Sequence, residues 1–232
     1  MQPRMPQPFI SCVVCAFNED KTIGATLAAL QDIPYIAEVI VVDDGSTDAT
    51  AAIVRSHPTY RLISLPENRG KSYALAQGMG AARQSHIMIL DADLIGLTTR
   101  DIEDLIAPIR NGHAHIAISL RKNSLLFYRL IGLDFVSGER IFPRSLIENH
   151  LHTIAQLPRF GFEVYLNRFI ITQQLSIAVV SWQRVFNNRK INKVGWWRGI
   201  RAECGMIRDA LRVISPGETL MQHYRLLRLT KK

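Results

Sequence analysis

Apolar residues fall along this chain in short blocks divided by polar clusters. Largely apolar runs at 9–17, 38–42, 60–65 and 87–90 read as buried strands, since short runs bounded by turn residues suit a sheet covered on both faces. Helices are expected between them: over 19–30 with Asn18 as cap, from a Ser46 or Thr47 cap to 57, and over 72–83. Four strands alternating with three crossover helices predict a parallel, doubly wound α/β sheet. Farther on, Thr98-x-x-Asp101 has the form of a capping box opening a helix to 110, and 114–120 and 176–182 read as further strands. Residues 1–8 carry Pro3, Pro6 and Pro8 without periodicity and read as a loose arm.

In such sheets ligands gather at the carboxyl ends of the strands. The polar clusters of this chain stand at those ends: Asn18-Glu19, Asp43-Asp44, Gly70-Lys71 at a helix start, and Asp91/Asp93. The last closes the run Ile87-Met88-Ile89-Leu90-Asp91-Ala92-Asp93. Side chains at i and i+2 of a strand share a face, so Asp91 and Asp93 are expected to reach one ion. Hard carboxylate oxygens that leave coordination positions open suit Mg²⁺ or Mn²⁺, which in turn bind the oxygens of a diphosphate. An Asp-x-Asp also serves as a loop start or helix cap; the joint occurrence of four clusters is what points to a nucleotide-activated substrate.

Composition narrows the class. The chain has 232 residues, 47% hydrophobic and 21% charged, enough for one domain, or one domain with an appendage, around a substantial core. General disorder is excluded, and no run approaches the roughly 18 to 20 apolar residues that span a bilayer. The 9–17 run passes straight into Asn18-Glu19-Asp20 without a small-residue cleavage site, which favours a strand over a signal peptide; a cytoplasmic enzyme is therefore expected. Three cysteines do not form a disulfide framework. Cys12-Val-Val-Cys15 has C-x-x-C spacing within an expected strand, where positions three apart face opposite ways, so buried structural thiols are expected. The net charge of +8 is uneven: from 182 to 232 twelve Lys and Arg stand against Glu203, Asp209 and Glu218. This tail suits an anionic partner.

The segments Val13-Val-Cys-Ala-Phe-Asn-Glu19, Val41-Val-Asp-Asp-Gly-Ser-Thr-Asp48, Asn68-Arg-Gly-Lys-Ser-Tyr-Ala-Leu-Ala-Gln-Gly78 and Leu90-Asp-Ala-Asp93 follow one another in the order of a known motif set. They resemble the inverting family 2 glycosyltransferases with the GT-A fold. Ser137-Gly-Glu-Arg-Ile-Phe142 and Gly161-Phe-Glu163 look like the acceptor-side segments of polyprenyl-phosphate sugar synthases such as dolichol-phosphate mannose synthase. The resemblance implies a Rossmann-like GT-A domain over 1–198, its mostly parallel central sheet flanked by helices, with a basic helical tail over 199–232.

It also implies roles. Asp43 or Asp44 contacts the nucleoside, with backbone around Ala16 and Phe17 flanking the base; the alternative is that both aspartates only order the Gly45 turn. Glu19, Lys71, Ala92 and Arg121 complete the nucleotide-sugar site, Lys71 as a cation or else as a solvated helix-start residue. Asp93 is the firmer metal ligand, and Asp91 contacts ribose or metal. Relatives often place a glutamine two positions after Asp93, where this chain has Ile95. Arg121 and Arg140 occupy places where such enzymes direct arginines to diphosphate and acceptor phosphate, or are ordinary surface charges. Glu163 is the candidate general base for a hydroxyl acceptor; a phosphate monoester acceptor is already anionic and needs none. The pairs His113/His115 and His150/His152 are not expected to bind metal.

In the last quarter, 183–197 reads as a polar basic loop, and the resemblance implies that it closes over donor phosphates. Ile200, Cys204, Ile207, Leu211 and Ile214 make one helical stripe, and 220–229 a second basic, leucine-rich helix. Such helices suit an anionic membrane surface, or pack on the catalytic domain with charged outer faces; 123–133 is a further apolar surface candidate. The expected activity is sugar transfer from a nucleotide sugar, with Mg²⁺ or Mn²⁺, to a polyprenyl phosphate by an enzyme peripheral on the inner membrane face. Transfer to a saccharide or protein hydroxyl through Glu163 is the alternative within that class. A nucleotidyltransferase is disfavoured by the lack of a Gly-rich loop with Arg and Lys after the first strand. A nucleic-acid or anionic-surface binding module using the tail is the alternative outside enzymes, and no nucleic-acid partner is expected.

Overall fold

The structure, a computed structural model, describes residues 7–124, 126–158, 161–187 and 216–231. The elements up to the Asp91 region are β1 (Ile10–Ala16), α1 (Ile23–Ala29), β2 (Ile36–Asp43), α2 (Thr50–Arg55), β3 (Arg61–Ser64), α3 (Lys71–Ala81) and β4 (His86–Asp91). Then come β5 (Leu94–Ile95), α4 (Thr99–Arg110), β6 (Ile116–Arg121), α5 (Leu126–Ile131), β7 (Arg140–Pro143), α6 (Leu151–Ala155), α7 (Gly161–Thr172), β8 (Ile177–Trp182), β9 (Phe186–Asn187) and α8 (Pro216–Leu229).

Seven strands form the central sheet in the order β3-β2-β1-β4-β7-β6-β8. All neighbours are parallel except β7, which runs antiparallel to both β4 and β6. The expected α/β sheet with mostly parallel strands is therefore present, with one reversed strand in its middle. The Arg140–Pro143 strand escapes a pattern reading because it is four residues long and closed by a proline. Its placement matters for function, since it carries the Glu139-Arg140 segment alongside the end of β4.

Both faces of the sheet are covered, which is why its strands read as largely apolar runs. Val13, Ile40, Val42, Ile87 and Ile89 pack with Leu75 and Met79 of α3 and Phe162, Leu166 and Ile170 of α7. Cys12, Val14, Val41, Met88 and Leu90 pack with Ile23 and Leu27 of α1 and Ile102, Leu105 and Ile106 of α4. Cys12 and Cys15 serve opposite layers as free thiols, as their spacing predicts. The capping box forms: Thr98 N–H donates to Asp101 Oδ2 at 2.9 Å, and Asp101 N–H to Thr98 Oγ1 at 3.3 Å.

The second tail helix starts earlier than expected and takes the packed one of its two expected placements. It begins at Pro216 and joins the core: Leu226 is fully buried, His223 lies against Phe135 and Tyr128, and Arg168 of α7 pairs with Glu218 at 3.1 Å. Lys231 N–H then donates to Ile177 O of β8 at 2.9 Å. Residues 216–231 thus pack on the domain expected over 1–198, while the helix expected over 199–214 and most of the 183–197 loop lie outside the described residues. No helix among the described residues is long and apolar enough to cross a membrane.

Candidate active site

The loops leaving β1 and β2 interlock before any ligand is considered. Asn18, expected to cap a helix, sits at φ 55°: its N–H donates to Ser46 Oγ at 2.9 Å and its Oδ1 accepts from Thr47 N–H at 2.9 Å. The first helix consequently starts later than its apolar pattern suggests, at Ile23. Asp48, not Ser46 or Thr47, takes the Thr50 N–H at the start of α2, at 2.9 Å. Gly45 has φ 72°, and a Cβ there would lie 2.5 Å from the Glu67 carbonyl carbon, so only glycine lets this loop approach the next one.

The structure separates the two aspartates after β2. Asp44 accepts from Arg69 N–H at 2.8 Å through one oxygen and from Gly70 N–H at 2.9 Å through the other, which makes it the organiser of the loop before α3. The Asp43 carboxylate accepts only from Ser46 N–H, at 3.1 Å through Oδ1, among the described residues. Both are buried, at the end of β2 where Ala16 O accepts from Asp44 N–H at 2.8 Å. Phe17, next along, is 43% exposed, an open aromatic face beside Asp43 and Asp44 in the chain register. Of the two, Asp43 is the one with carboxylate capacity left for a nucleoside.

The expected sharing of a strand face by Asp91 and Asp93 does not hold. β4 stops at Asp91, Ala92 and Asp93 form a turn, and the chain re-extends in β5, where Ile95 pairs with Phe186. Asp91 is tied to cations: Lys71 Nζ at 2.8 Å and, more loosely, Arg121 Nη1 at 3.8 Å. Burial opposes its charge, but Lys71 and Arg121 outweigh that and hold its carboxyl below the usual range. Asp93 has no hydrogen-bond or ion-pair partner among the described residues. Burial, then the charges of Asp91 and Glu19, push its pKa up from 3.8 to about 7. Glu19, whose Oε2 accepts from Thr22 Oγ1 at 3.0 Å, therefore belongs to the same electrostatic neighbourhood.

Around this pair the antiparallel β7 and the start of α7 supply two further carboxylates. Glu163, in the first turn of α7, is 1% exposed; its Oε1 lies 3.2 Å from Lys71 Nζ and its buried Oε2 has no hydrogen-bond partner among the described residues. Glu139, fully buried, accepts from Ser119 Oγ and Ser137 Oγ, each at 2.9 Å, and from Arg121 Nη1 at 2.8 Å. Burial still raises its pKa against the pull of Arg121. Glu139 was not singled out as a site residue by sequence reasoning. Its signal is a carboxylate within the Ser137-Gly-Glu-Arg-Ile-Phe142 segment, separated only by Arg140 from the apolar Ile141-Phe142 pair. Gly138 lets the chain pass, since a Cβ there would sit 2.9 Å from both Asp91 Oδ2 and Lys71 Nζ.

Arg140 is a correction. Its side chain is fully buried, with Nε donating to Ser137 O at 2.9 Å, Nη2 to Phe135 O at 3.3 Å and Nη1 to Asn167 Oδ1 at 3.2 Å. Those bonds brace the 135–137 turn against α7, so Arg140 holds the site together and does not present its fork to a phosphate. Lys71 is likewise no solvated residue, and its amine is held in its charged form because Asp91 and Glu163 outweigh burial. Ala92, buried, accepts from Thr26 Oγ1 through its carbonyl at 3.4 Å. His115 Nδ1 lies 2.8 Å from Ser176 Oγ and His150 Nδ1 3.2 Å from Tyr165 OH, both away from this cluster in the fold's order.

Asp91, Asp93, Glu139 and Glu163 thus converge on Lys71 and Arg121, a surplus of negative charge that a bound cation would offset. No group of three His, Cys, Asp or Glu among the described residues is arranged to hold a metal by itself. A cation that takes one carboxylate and completes its shell with phosphate oxygens suits Asp93.

The glycosyl transferase family 2 model matches residues 11–142, more than half of the chain and every strand up to β7. The chain belongs to that family. It is similar to a poly-β-1,6-N-acetyl-D-glucosamine synthase of Staphylococcus epidermidis, 34% identical over 90 residues, 37% of this chain and 22% of that protein. It is 32% identical over 123 residues to a dodecaprenyl-phosphate galacturonate synthase of Rhizobium johnstonii, 49% of this chain and 36% of the relative. The chain therefore spans between 22% and 36% of these two relatives. The fold matches that of glucosyl-3-phosphoglycerate synthase from Mycobacterium tuberculosis, solved with Mn²⁺, UDP and phosphoglyceric acid. That match has a TM-score of 0.68 and 23% identity, over 89% of this chain and 78% of that one. The family member's sheet is thus of the GT-A type.

Proposed function

We propose that this family 2 protein is a metal-dependent inverting glycosyltransferase that moves one sugar from a nucleotide-sugar donor to a polyprenyl phosphate at the cytoplasmic membrane face. The observation that carries the reading is the carboxylate-rich cluster around Asp93, whose charge is uncompensated while Asp91 is already paired. When bound there, Mg²⁺ or Mn²⁺ would supply Lewis-acid neutralisation of the departing nucleoside diphosphate. The Mn²⁺ and UDP held by the structurally similar synthase support this assignment.

Each residue then has a task set by its contacts. Asp43 accepts from base or ribose donors, with Phe17 beside the base. Lys71, fixed by Asp91 and Glu163, presents a charged amine at the start of α3 toward the nucleotide. Arg121, bridging Asp91 and Glu139, supplies a cation at the end of β6 for phosphate oxygens. The name of the dodecaprenyl-phosphate relative supports a lipid-phosphate acceptor, which attacks without a base. Peripheral membrane contact is assigned to the outer face of α8, where Met221, Tyr224, Arg225 and Arg228 are exposed.

Transfer to a hydroxyl is the second reading, favoured by the buried Oε2 of Glu163, which has no hydrogen-bond partner among the described residues. Glu163→Gln separates them, since it keeps an acceptor oxygen for Lys71 and removes the base. Turnover within a few-fold of wild type is expected for the phosphate acceptor; a fall of about 10²-fold or more would favour the hydroxyl. The test of the activity itself is release of nucleoside diphosphate from a panel of nucleotide sugars with Mg²⁺ or Mn²⁺, with and without a prenyl phosphate. Stimulation by the prenyl phosphate is expected; release from none of the donors would overturn the reading.

A further inference from the structure

A cavity of about 420 Å³ opens between the carboxyl ends of β6 and β8. Arg121, Lys122 and Arg129 line it together with Ser181, Trp182 and Gln183, and none of the described lining residues is acidic. Lys122 and Arg129 are exposed and form no ion pair among the described residues. Lys122 is held in place by its main chain, whose N–H donates to Val185 O at 3.1 Å. Arg121 connects this cavity to the carboxylate cluster, since its Nη1 reaches Glu139 and Asp91, while its buried Nε–H has no hydrogen-bond partner among the described residues. Two exposed cations without an ion pair among the described residues, beside an Arg121 whose Nη1 is paired but whose Nε–H is left over, describe an anion site.

We propose that this cavity is the subsite for the acceptor's phosphate, with Lys122 and Arg129 as the residues that select a charged acceptor over a neutral one. The inference rests on the glycosyltransferase reading, and it relocates the acceptor anion from Arg140, whose guanidinium is occupied by carbonyls, to the opposite edge of Arg121. A phosphate monoester fits the cavity's chemistry: it accepts from guanidinium and ammonium donors at once, and Ser181 and Gln183 offer neutral hydrogen-bonding groups. Leu130, one residue past Arg129, is 78% exposed and gives an apolar surface where the group attached to such a phosphate would leave the cavity.

The test is calorimetry on the full chain with UDP and Mn²⁺ present, titrating geranyl phosphate, glycerol 3-phosphate and geraniol. Wild type and the Lys122→Ala/Arg129→Ala double variant are compared, with thermal melts confirming that these exposed substitutions leave the fold intact. Expected are binding of the phosphate probes to wild type, none of geraniol, and a loss of about tenfold or more per cation removed. Tighter uptake of geranyl phosphate than of glycerol 3-phosphate identifies the lipid as source of the phosphate; equal uptake identifies a small soluble ester. Unchanged probe affinity in the double variant overturns the proposal. So does a variant that weakens UDP–Mn²⁺ uptake and spares the probes, because the cavity would then hold the donor. If wild type takes up no UDP–Mn²⁺ yet binds the probes through Lys122 and Arg129, the anion site stands and the donor reading falls.

Discussion

Asp93 carries the charge that its neighbours least accommodate. A carboxyl raised to about 7 from 3.8 binds its proton more tightly in the folded protein than in the unfolded chain. Its contribution to stability is therefore full below about pH 4 and is lost as the pH rises through about 7. Asp93→Asn removes that dependence. In metal-free protein its melting temperature should exceed that of wild type by a margin that grows between pH 4 and 7 and is flat above; a margin constant with pH would show that Asp93 titrates normally. Gly138 makes a second residue-scale prediction. An alanine Cβ there must displace the Lys71–Asp91 pair, and turnover should fall by about 10- to 100-fold with the fold retained, measured as kcat beside far-UV spectra. Which carboxylates gather was partly legible in the sequence, because Asp91, Asp93 and Glu163 end or begin apolar runs. Their division of labour was not. Pairing with Lys71 and Arg121 depends on side chains distant in sequence, and the i, i+2 rule fails where the strand stops at Asp91.

At the scale of elements, loops are held by carboxylates and the sheet by apolar alternation. Asp44 binds the main chain of Arg69 and Gly70, so Asp44→Ala leaves two N–H groups without their acceptor and should cost about 1–3 kcal/mol, read from denaturant unfolding. An unchanged unfolding midpoint would mean that the loop after β3 does not depend on it. The parallel strands β1 to β4 and the helices between them were readable because both layers demand largely apolar runs. β7 was not readable: four residues ending in proline carry no period, and its antiparallel place is set by β4 and β6 on either side. The start of α1 was misplaced because Asn18 is recruited by Ser46 and Thr47, a contact between loops that no local pattern encodes.

Over the whole molecule, two cores cover the sheet and α8 completes one of them. Its inward and outward faces should therefore separate in experiment. Leu226→Ala opens a fully buried position and should cost about 2–5 kcal/mol of stability, whereas Arg225→Glu/Arg228→Glu should leave the melting temperature within a few degrees and weaken association with anionic liposomes. Liposome association indifferent to those charges would remove α8 from the membrane contact. The basic surplus of the last quarter was legible as composition; that 216–231 folds into the catalytic layer was not, since an amphipathic stripe fits a membrane and a protein core equally well. The central claim is that a divalent cation at Asp93 holds a nucleotide's diphosphate at the carboxyl end of β4. It is tested most directly by calorimetric titration of UDP and other nucleoside diphosphates into wild type and Asp93→Ala, each with and without Mn²⁺. The account predicts cation-dependent uptake by wild type and its loss in the variant; uptake that ignores the cation, or that survives in Asp93→Ala, would contradict it.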